Sequence, residues 1–488
     1  MSLKRDLVRG TVYMAIAKYS GMVITILVTA ILSRILTPQD YGVVALATVM
    51  LTLFNILGDL GIGPAVIQNK TLTAQDMNSI NTFNSYTGAF LALAFYFCSP
   101  LIADCYDNGE VEIVCKFMSF TILLNCVNAV PNNILYRQQR FKLVTILALI
   151  SQVVGGIFSI TMAYMGCGAV SLIIPGIFIS SIMFFVLRYI TGVHFVLKID
   201  FTPLRRVFSF SAYQFFANLI AYLSRNVDSM LVGKFFGIKS LGYYNKSFNL
   251  MLMPLQYISS VLIPVMLPVF SNYQDDLQYI QDKYTRILRL FAFIGVPVCL
   301  ILYFCAEELI FLFYGDQWGQ SVPYFKILSI SVPFQIMGCS SGAIFQATNN
   351  TKAMFWNGFI GAIVTLGSIA LGVFVFETVE ALAWGYTFAM VSTTFICFYI
   401  MYHYALKSSF LIWLRSMISP ALFSIALCAM LLLASLISID SDLVQLFVKL
   451  CIGVVFSVSY IHYFKYYDLA PLIFKVKDKL KDAVYKRG

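Results

Sequence analysis

Four cations and two carboxylates lie in stretches where nearly every neighbour is apolar. Lys18, Arg34, Arg225 and Lys234 fall inside or at the ends of long apolar runs, as do Asp59 in NILGDLGIGP and Asp228 in RNVDSMLVGK. Two uses fit such residues. A cation lining a cavity attracts an anionic group, whereas a cation paired with a carboxylate holds helices together. Arg225 and Asp228 are one helical turn apart on one face, an i,i+3 spacing that allows mutual neutralisation. Lys18 and Asp59 each lie roughly 12 Å from the inner end of their run, at 1.5 Å per residue, so their depths allow pairing. Arg34 and Lys234 stand at outer ends, where a long side chain can snorkel to the interface.

The elements that hold these residues are membrane helices. Of 488 residues, 60% are hydrophobic and 11% charged, against roughly 25% charged in a soluble domain. That is too little polar surface for a body of this size in water. Apolar segments of spanning length recur at 10–36, 41–67, 79–103, 111–136, 143–165, 169–190, 208–236, 241–270, 284–306, 322–346, 353–376, 381–404, 415–437 and 444–466. The expectation is an all-α integral membrane protein of fourteen transmembrane helices. The longest non-spanning pieces, 190–207, 270–283 and the C-terminal tail, leave no room for a soluble catalytic domain. The first segment is too long for a signal-peptide core and is expected to stay as a span.

Charge placement sets the orientation. With the N-terminus inside, 24 of 33 Lys and Arg residues fall on inner segments, among them Lys283, Arg286, Arg289, Lys407 and Arg415. Seven fall on outer ends and loops: Arg34, Lys116, Lys234, Lys239, Lys246, Lys326 and Lys449. Both termini are therefore expected in the cytoplasm. The net charge of +10 belongs to this bias and to a basic, membrane-surface tail rather than to nucleic-acid binding.

An internal repeat organises the helices. An offset of 200 pairs Tyr13 with Tyr213, Ala17 with Ala217, Arg34 with Lys234, Gly42 with Gly242, Pro64 with Pro264 and Asp76 with Asp276. AILSRILTPQDYG and SMLVGKFFGIKSLG each place a basic residue eight positions before a glycine at a junction between spans. Six spans separate the two units, so they run parallel through the membrane. The expected layout is two pseudo-symmetric six-helix lobes, 1–200 and 201–406, plus two C-terminal helices and a basic cytoplasmic tail within 407–488. A transport path between the lobes follows. Prolines 64, 131, 175, 254, 264, 268, 297 and 333, within spans or at their ends, are expected to bend helices.

Several functions are excluded by what is missing. VGK at 232–234 lacks the rest of a phosphate-binding loop, and His194, His403 and His462 have no metal-site spacing. The eleven cysteines show no metal or redox pattern and read as small buried hydrophobes. No catalytic residues, metal site or cofactor are expected. Energy comes from an ion gradient, with H+ or Na+ as the coupling ion, from the membrane potential, or from the substrate's own gradient.

LSRILTPQDYGVVALA (32–47), LGDLGIGPAVIQ (57–68), LSRNVDSMLVGKFFGIKSLGYYNKSFNLMLMPLQ (223–256), LPVFSNYQDD (267–276) and FYGDQW (313–318) together resemble the polysaccharide-exporter, Wzx C-type branch of the MOP flippase superfamily. The resemblance implies a MATE-like fold and a flippase of the bacterial inner membrane. Its substrate would be an undecaprenyl-diphosphate-linked oligosaccharide, moved by alternating access for surface polysaccharide synthesis. The partners it implies are that lipid-linked oligosaccharide, membrane lipid, and a polymerase with chain-length machinery. A cationic cavity suits a diphosphate, which makes Lys18 and Arg225 the first candidates for substrate contact, with Arg34 and Lys234 flanking the outer exit. Asp59 and Asp228 are their charge partners. Tyr13, Tyr213, Gln214, Asn218, Tyr222 and Asn226 could offer sugar-binding surfaces or interhelical packing. Three alternatives stay open: an ion-coupled small-molecule antiporter with an acidic cavity, a membrane polysaccharide polymerase or ligase, and a non-transporting assembly scaffold.

Overall fold

The computed structural model describes residues 2–59, 66, 72–196, 222, 225–436 and 442–463, without the side chains of 2–17, 59, 260–265, 442 and 461. The described residues form helices and connecting turns with no strand. Helix is the form in which an apolar segment satisfies its own backbone polar groups away from water.

The first compact unit comprises Met1–Ser247, Phe313–Ser321 and Ile369–Leu382. It holds α1 (Ser2–Ile35), α2 (Pro38–Asp59), α3 (Ala74–Cys105), α4 (Gly109–Arg137), α5 (Phe141–Tyr164), α6 (Ile174–Thr191) and α7 (225–236). It also holds the start of α8 (Ile238–Ser271). Within it α3 packs on α4, α1 on α5, and α4 on both α2 and α6. One core joins Met77 and Ile80 of α3 to Val130 and Ile134 of α4 and to Val193 after α6.

Helix starts are specified locally. Thr37 donates from Oγ1 (2.7 Å) and its backbone N (2.8 Å) to Asp40, whose own N–H donates to Thr37 Oγ1 (3.2 Å). This capping box, with Pro38 at the first helical position, accounts for the string TPQD. Thr73 and Asp76 repeat the arrangement ahead of α3. Asp276, the residue paired with Asp76 at the 200 offset, caps the next helix by accepting from the Tyr279 N–H at 2.9 Å. Gly237, at φ +85, separates α7 from α8.

The second unit comprises Phe248–Leu312, Val322–Ser368 and Ala383–Gly488. Its elements are α9 (Leu277–Phe304), α10 (Ala306–Tyr314), α11 (Ser321–Ser329), α12 (Val332–Gly338), α13 (Ser341–Ala347), α14 (Thr351–Phe374), α15 (Val379–Ile400), α16 (Phe410–Ser435) and α17 (Asp442–Tyr463), some of which begin or end in the first unit. Phe293 of α9 packs with Phe423, Leu427 and Leu431 of α16, and Ile452, Phe456 and Tyr460 of α17 close over them.

Eleven helices among the described residues are long and apolar enough to cross a membrane, and a bent pair, Ser321–Ser329 with Val332–Ala347, raises the number to twelve. The chain is a multi-pass membrane protein. Of the fourteen expected segments, 208–236 lies mostly outside the described residues, and 241–270 corresponds to α8. The segment 322–346 is bent by 46° at a break just before Pro333, one of the prolines expected to bend a helix, and Ser331 and Ser340, which turn their hydroxyls onto the Leu328 and Met337 carbonyls, precede its second and third pieces. One expectation needs correction. The piece 270–283 is not all connector, because Asp276 starts α9 at Leu277. Pro131 and Pro297 lie inside continuous helices, while Pro175 and Pro333 sit in the first turns of theirs.

Candidate functional site

The predicted cations fall into two groups. Lys18 on α1 and Arg225 at the start of described α7 are exposed, and neither forms an ion pair among the described residues. Arg225 does not neutralise Asp228. Asp228 is 1% exposed and accepts from Tyr244 Oη at 2.8 Å, and its Oδ1 has no hydrogen-bond partner among the described residues. The i,i+3 spacing is real, but a phenol contributed by α8 provides the closer contact. The side chain of Asp59 lies outside the described residues, as do Tyr213, Gln214 and Asn218 and the side chain of Tyr13. Tyr222 donates to the Val49 carbonyl at 2.5 Å, and Asn226 donates to the Tyr222 carbonyl at 2.9 Å, so both make interhelical or local bonds.

Arg34 and Lys234 end α1 and α7, where exposed carbonyls favour positive charge. Each of these helix ends is held by an outer turn. Lys234 Nζ donates to the Cys105 carbonyl, and Tyr106 Oη donates to the Met230 carbonyl at 3.3 Å. Burial pushes the Tyr106 phenol up to about 12. At α1, Trp318 Nε1 donates to the Ser33 carbonyl (2.8 Å), and Gln317 Nε2 donates to the carbonyls of Ser33 (2.5 Å) and Leu36 (3.1 Å). The Arg34 stem runs past Gly315, where an added Cβ would stand 3.4 Å from it.

Between these ends the repeat-related glycines pack reciprocally. A Cβ on Gly42 would lie 1.9 Å from the Ile238 carbonyl oxygen, and one on Gly242 would lie 2.0 Å from that of Pro38. Residues 38 and 238 are themselves 200 apart, so each junction supplies a glycine to the other's first turn. Only glycine permits that approach.

The sequence reading missed the most enclosed cation here. Lys246, expected at an outer end or loop, is 4% exposed. Its Nζ donates to Ser33 Oγ at 2.6 Å and lies 3.5 Å from the Tyr41 ring centroid, 4.5 Å from Tyr314 and 5.3 Å from Trp318. Aromatic faces attract a desolvated ammonium. Ser33 and Tyr41 come from SRILTPQDYG, Lys246 from NKSFNL, and Tyr314 and Trp318 from FYGDQW, so three of the stretches that carry the resemblance meet in one cage.

Other cations have structural partners too. Lys449, also expected outside, is 5% exposed, pairs with Glu308 and donates to the Phe304 carbonyl at 2.9 Å. Arg188 lies between Phe184 and Phe195, its carbon 4.2 and 4.1 Å from the ring centroids. His194 is held by Asn78, whose Oδ1 accepts from the His194 backbone N–H at 3.1 Å. No group of three potential metal ligands occurs among the described residues.

The fold defines a multi-pass helical membrane protein. A family profile described as "Polysaccharide biosynthesis protein" matches residues 31–323, more than half of the chain, and the chain belongs to that family. It is 22% identical over 430 residues to the teichuronic acid biosynthesis protein TuaB of Bacillus subtilis (strain 168), covering 87% of this chain and 88% of the relative. It is 21% identical over 432 residues to the lipopolysaccharide biosynthesis protein WzxC of Escherichia coli (strain K12), covering 86% of each. Among solved structures, the lipid II flippase MurJ in an inward closed conformation superposes with a TM-score of 0.73 at 17% identity, over 94% of this chain and 99% of that one. At this identity the likeness establishes the fold alone, one that this chain shares with that protein.

Proposed function

We propose that the protein is a flippase that carries an undecaprenyl-diphosphate-linked oligosaccharide across the bacterial inner membrane during surface polysaccharide synthesis. The observation that carries the reading is membership of the polysaccharide biosynthesis family by a chain with a lipid II flippase's fold. The relatives' names tie them to envelope polysaccharides, and MurJ moves a lipid-linked substrate by its name. In this reading two six-helix lobes, 1–200 and 201–406, alternate in access, and two further helices follow within 407–488. This completes fourteen spans with both termini cytoplasmic.

Lys18 and Arg225 receive the anionic head, since both are exposed and have no carboxylate partner among the described residues, and an exposed cation draws an anion. Arg34 and Lys234 anchor helix ends and flank the outer exit. Asp59 and Asp228 tune the charge of the path, and an H+ or Na+ gradient supplies the energy. A polymerase and its chain-length machinery take the product. The protein performs transport rather than catalysis. Deleting the gene is expected to accumulate lipid-linked repeat units on the cytoplasmic side. Normal surface polysaccharide in the deletion strain, with no such accumulation, would contradict the reading.

A further inference from the structure

The second unit contains a basic pocket formed by residues other than those proposed to meet the substrate. It encloses about 390 Å³ and is lined by Arg286 and Arg289 of α9 and Arg415 of α16, with Asp282, Thr285 and Ile412 among the other walls. Three arginines thus line the pocket beside one aspartate. Arg289 lines the pocket while its Nε is buried without a hydrogen-bond partner among the described residues. Asp282 is exposed, where water and salt screen its charge.

The floor is rigid. Thr285 Oγ1 and Tyr402 Oη bond at 2.6 Å, and Tyr284 Oη and Ser340 Oγ bond at 2.9 Å. Trp413 and Phe423 of α16 are buried in the core, and Ser416, also buried, joins the pocket wall. Planar guanidinium groups on so fixed a frame suit a phosphate.

What distinguishes a lipid from a free ion is the surface next to the pocket. Leu411, Arg415, Ile418, Leu422 and Ile425 recur at helical spacing on the outward face of α16. Leu411, Ile418 and Leu422 are each 58% exposed and Ile425 is 67% exposed. A phosphate held by Arg415 would therefore have an apolar track running away from it along the span, where acyl chains can lie. The geometry points to a site for the headgroup phosphate of an anionic glycerophospholipid, with the acyl chains along Ile418, Leu422 and Ile425. In the proposed topology it faces the cytoplasmic leaflet, where basic pockets between helices meet such headgroups.

Native mass spectrometry of the full chain in detergent tests this with phosphatidylglycerol, phosphatidylcholine and inorganic phosphate as probes. The wild type is expected to retain phosphatidylglycerol over phosphatidylcholine. Arg289→Gln with Arg415→Gln is expected to weaken that retention by roughly fivefold per arginine. Ile418→Glu should weaken phosphatidylglycerol retention while leaving inorganic phosphate binding unchanged. Equal retention of the two lipids by the wild type would overturn the site, even if the double variant fails to fold. Displacement of phosphatidylglycerol by excess inorganic phosphate would overturn the lipid as its occupant. Retention is read without transport, so failure here leaves the flippase reading standing.

Discussion

Lys246 and Lys449 are enclosed by the protein, whereas Lys18 and Arg225 are open, although all four lie on helices of a membrane protein. The enclosed pair shows two ways of compensating a buried ammonium: aromatic faces with one hydroxyl around Lys246, and a carboxylate with a carbonyl around Lys449. Burying a cation is costly until such partners are supplied. The open pair has no carboxylate partner among the described residues, which leave out the side chain of Asp59. Enclosed cations hold the fold, and in the proposed function the open ones meet the substrate.

The comparison breaks most severely where a buried charge is orphaned. Glu308→Ala leaves the Lys449 ammonium buried without its carboxylate and is expected to cost about 3–5 kcal/mol. Thermal unfolding in detergent measures this, and Glu308→Leu with Lys449→Met is expected to recover most of it. A destabilisation by Glu308→Ala no larger than that of a surface change would show that the pair is not structural.

Gly42→Ala and Gly242→Ala come next. Each forces a methyl into a backbone carbonyl, so a destabilisation of at least about 1–3 kcal/mol is expected, the range of overpacked cores. The two effects should be similar if the packing is reciprocal, and unequal effects would break the symmetry. Lys246→Met keeps the stem and removes the charge, with an expected cost of about 1–2 kcal/mol as the cation–π attraction and the hydrogen bond to Ser33 disappear. Trp318→Leu should lower stability in the same direction, and in the Lys246→Met background its further effect should shrink. Lys18→Gln with Arg225→Gln is expected to change unfolding least, within about 0.5 kcal/mol per site.

The helix starts carry local signals, yet hydropathy places them a few residues late, at 41 for Pro38, 79 for Ala74 and 284 for Leu277. Thr-Pro-Gln-Asp ahead of α2 and Thr-Ala-Gln-Asp ahead of α3 contain their own capping partners, and Gly42 and Gly242 stood out through the repeat. The enclosed cations were not legible. The environment of Lys246 is built by residues more than 60 positions away, and hydropathy along the chain does not tell which side chain lies opposite. A usable signal was present: Tyr41, Tyr314 and Trp318 stood in the motifs that carried the resemblance. Arg225 and Asp228 failed as a pair because helical spacing permits an approach without requiring it, and Tyr244 offers Asp228 a buried hydrogen bond. The 46° bend after Ser329 had its signal in Pro333, although the apolar composition runs on unbroken.

The account is tested most directly by proteoliposomes in which labelled undecaprenyl-diphosphate-linked oligosaccharide crosses the bilayer with wild type or Lys18→Gln/Arg225→Gln. Crossing is expected to fall by about tenfold or more for each charge-assisted hydrogen bond that the substitutions remove, with the unfolding temperature unchanged. Crossing at the wild-type rate by the folded double variant would contradict the claim that these two open cations receive the anionic head.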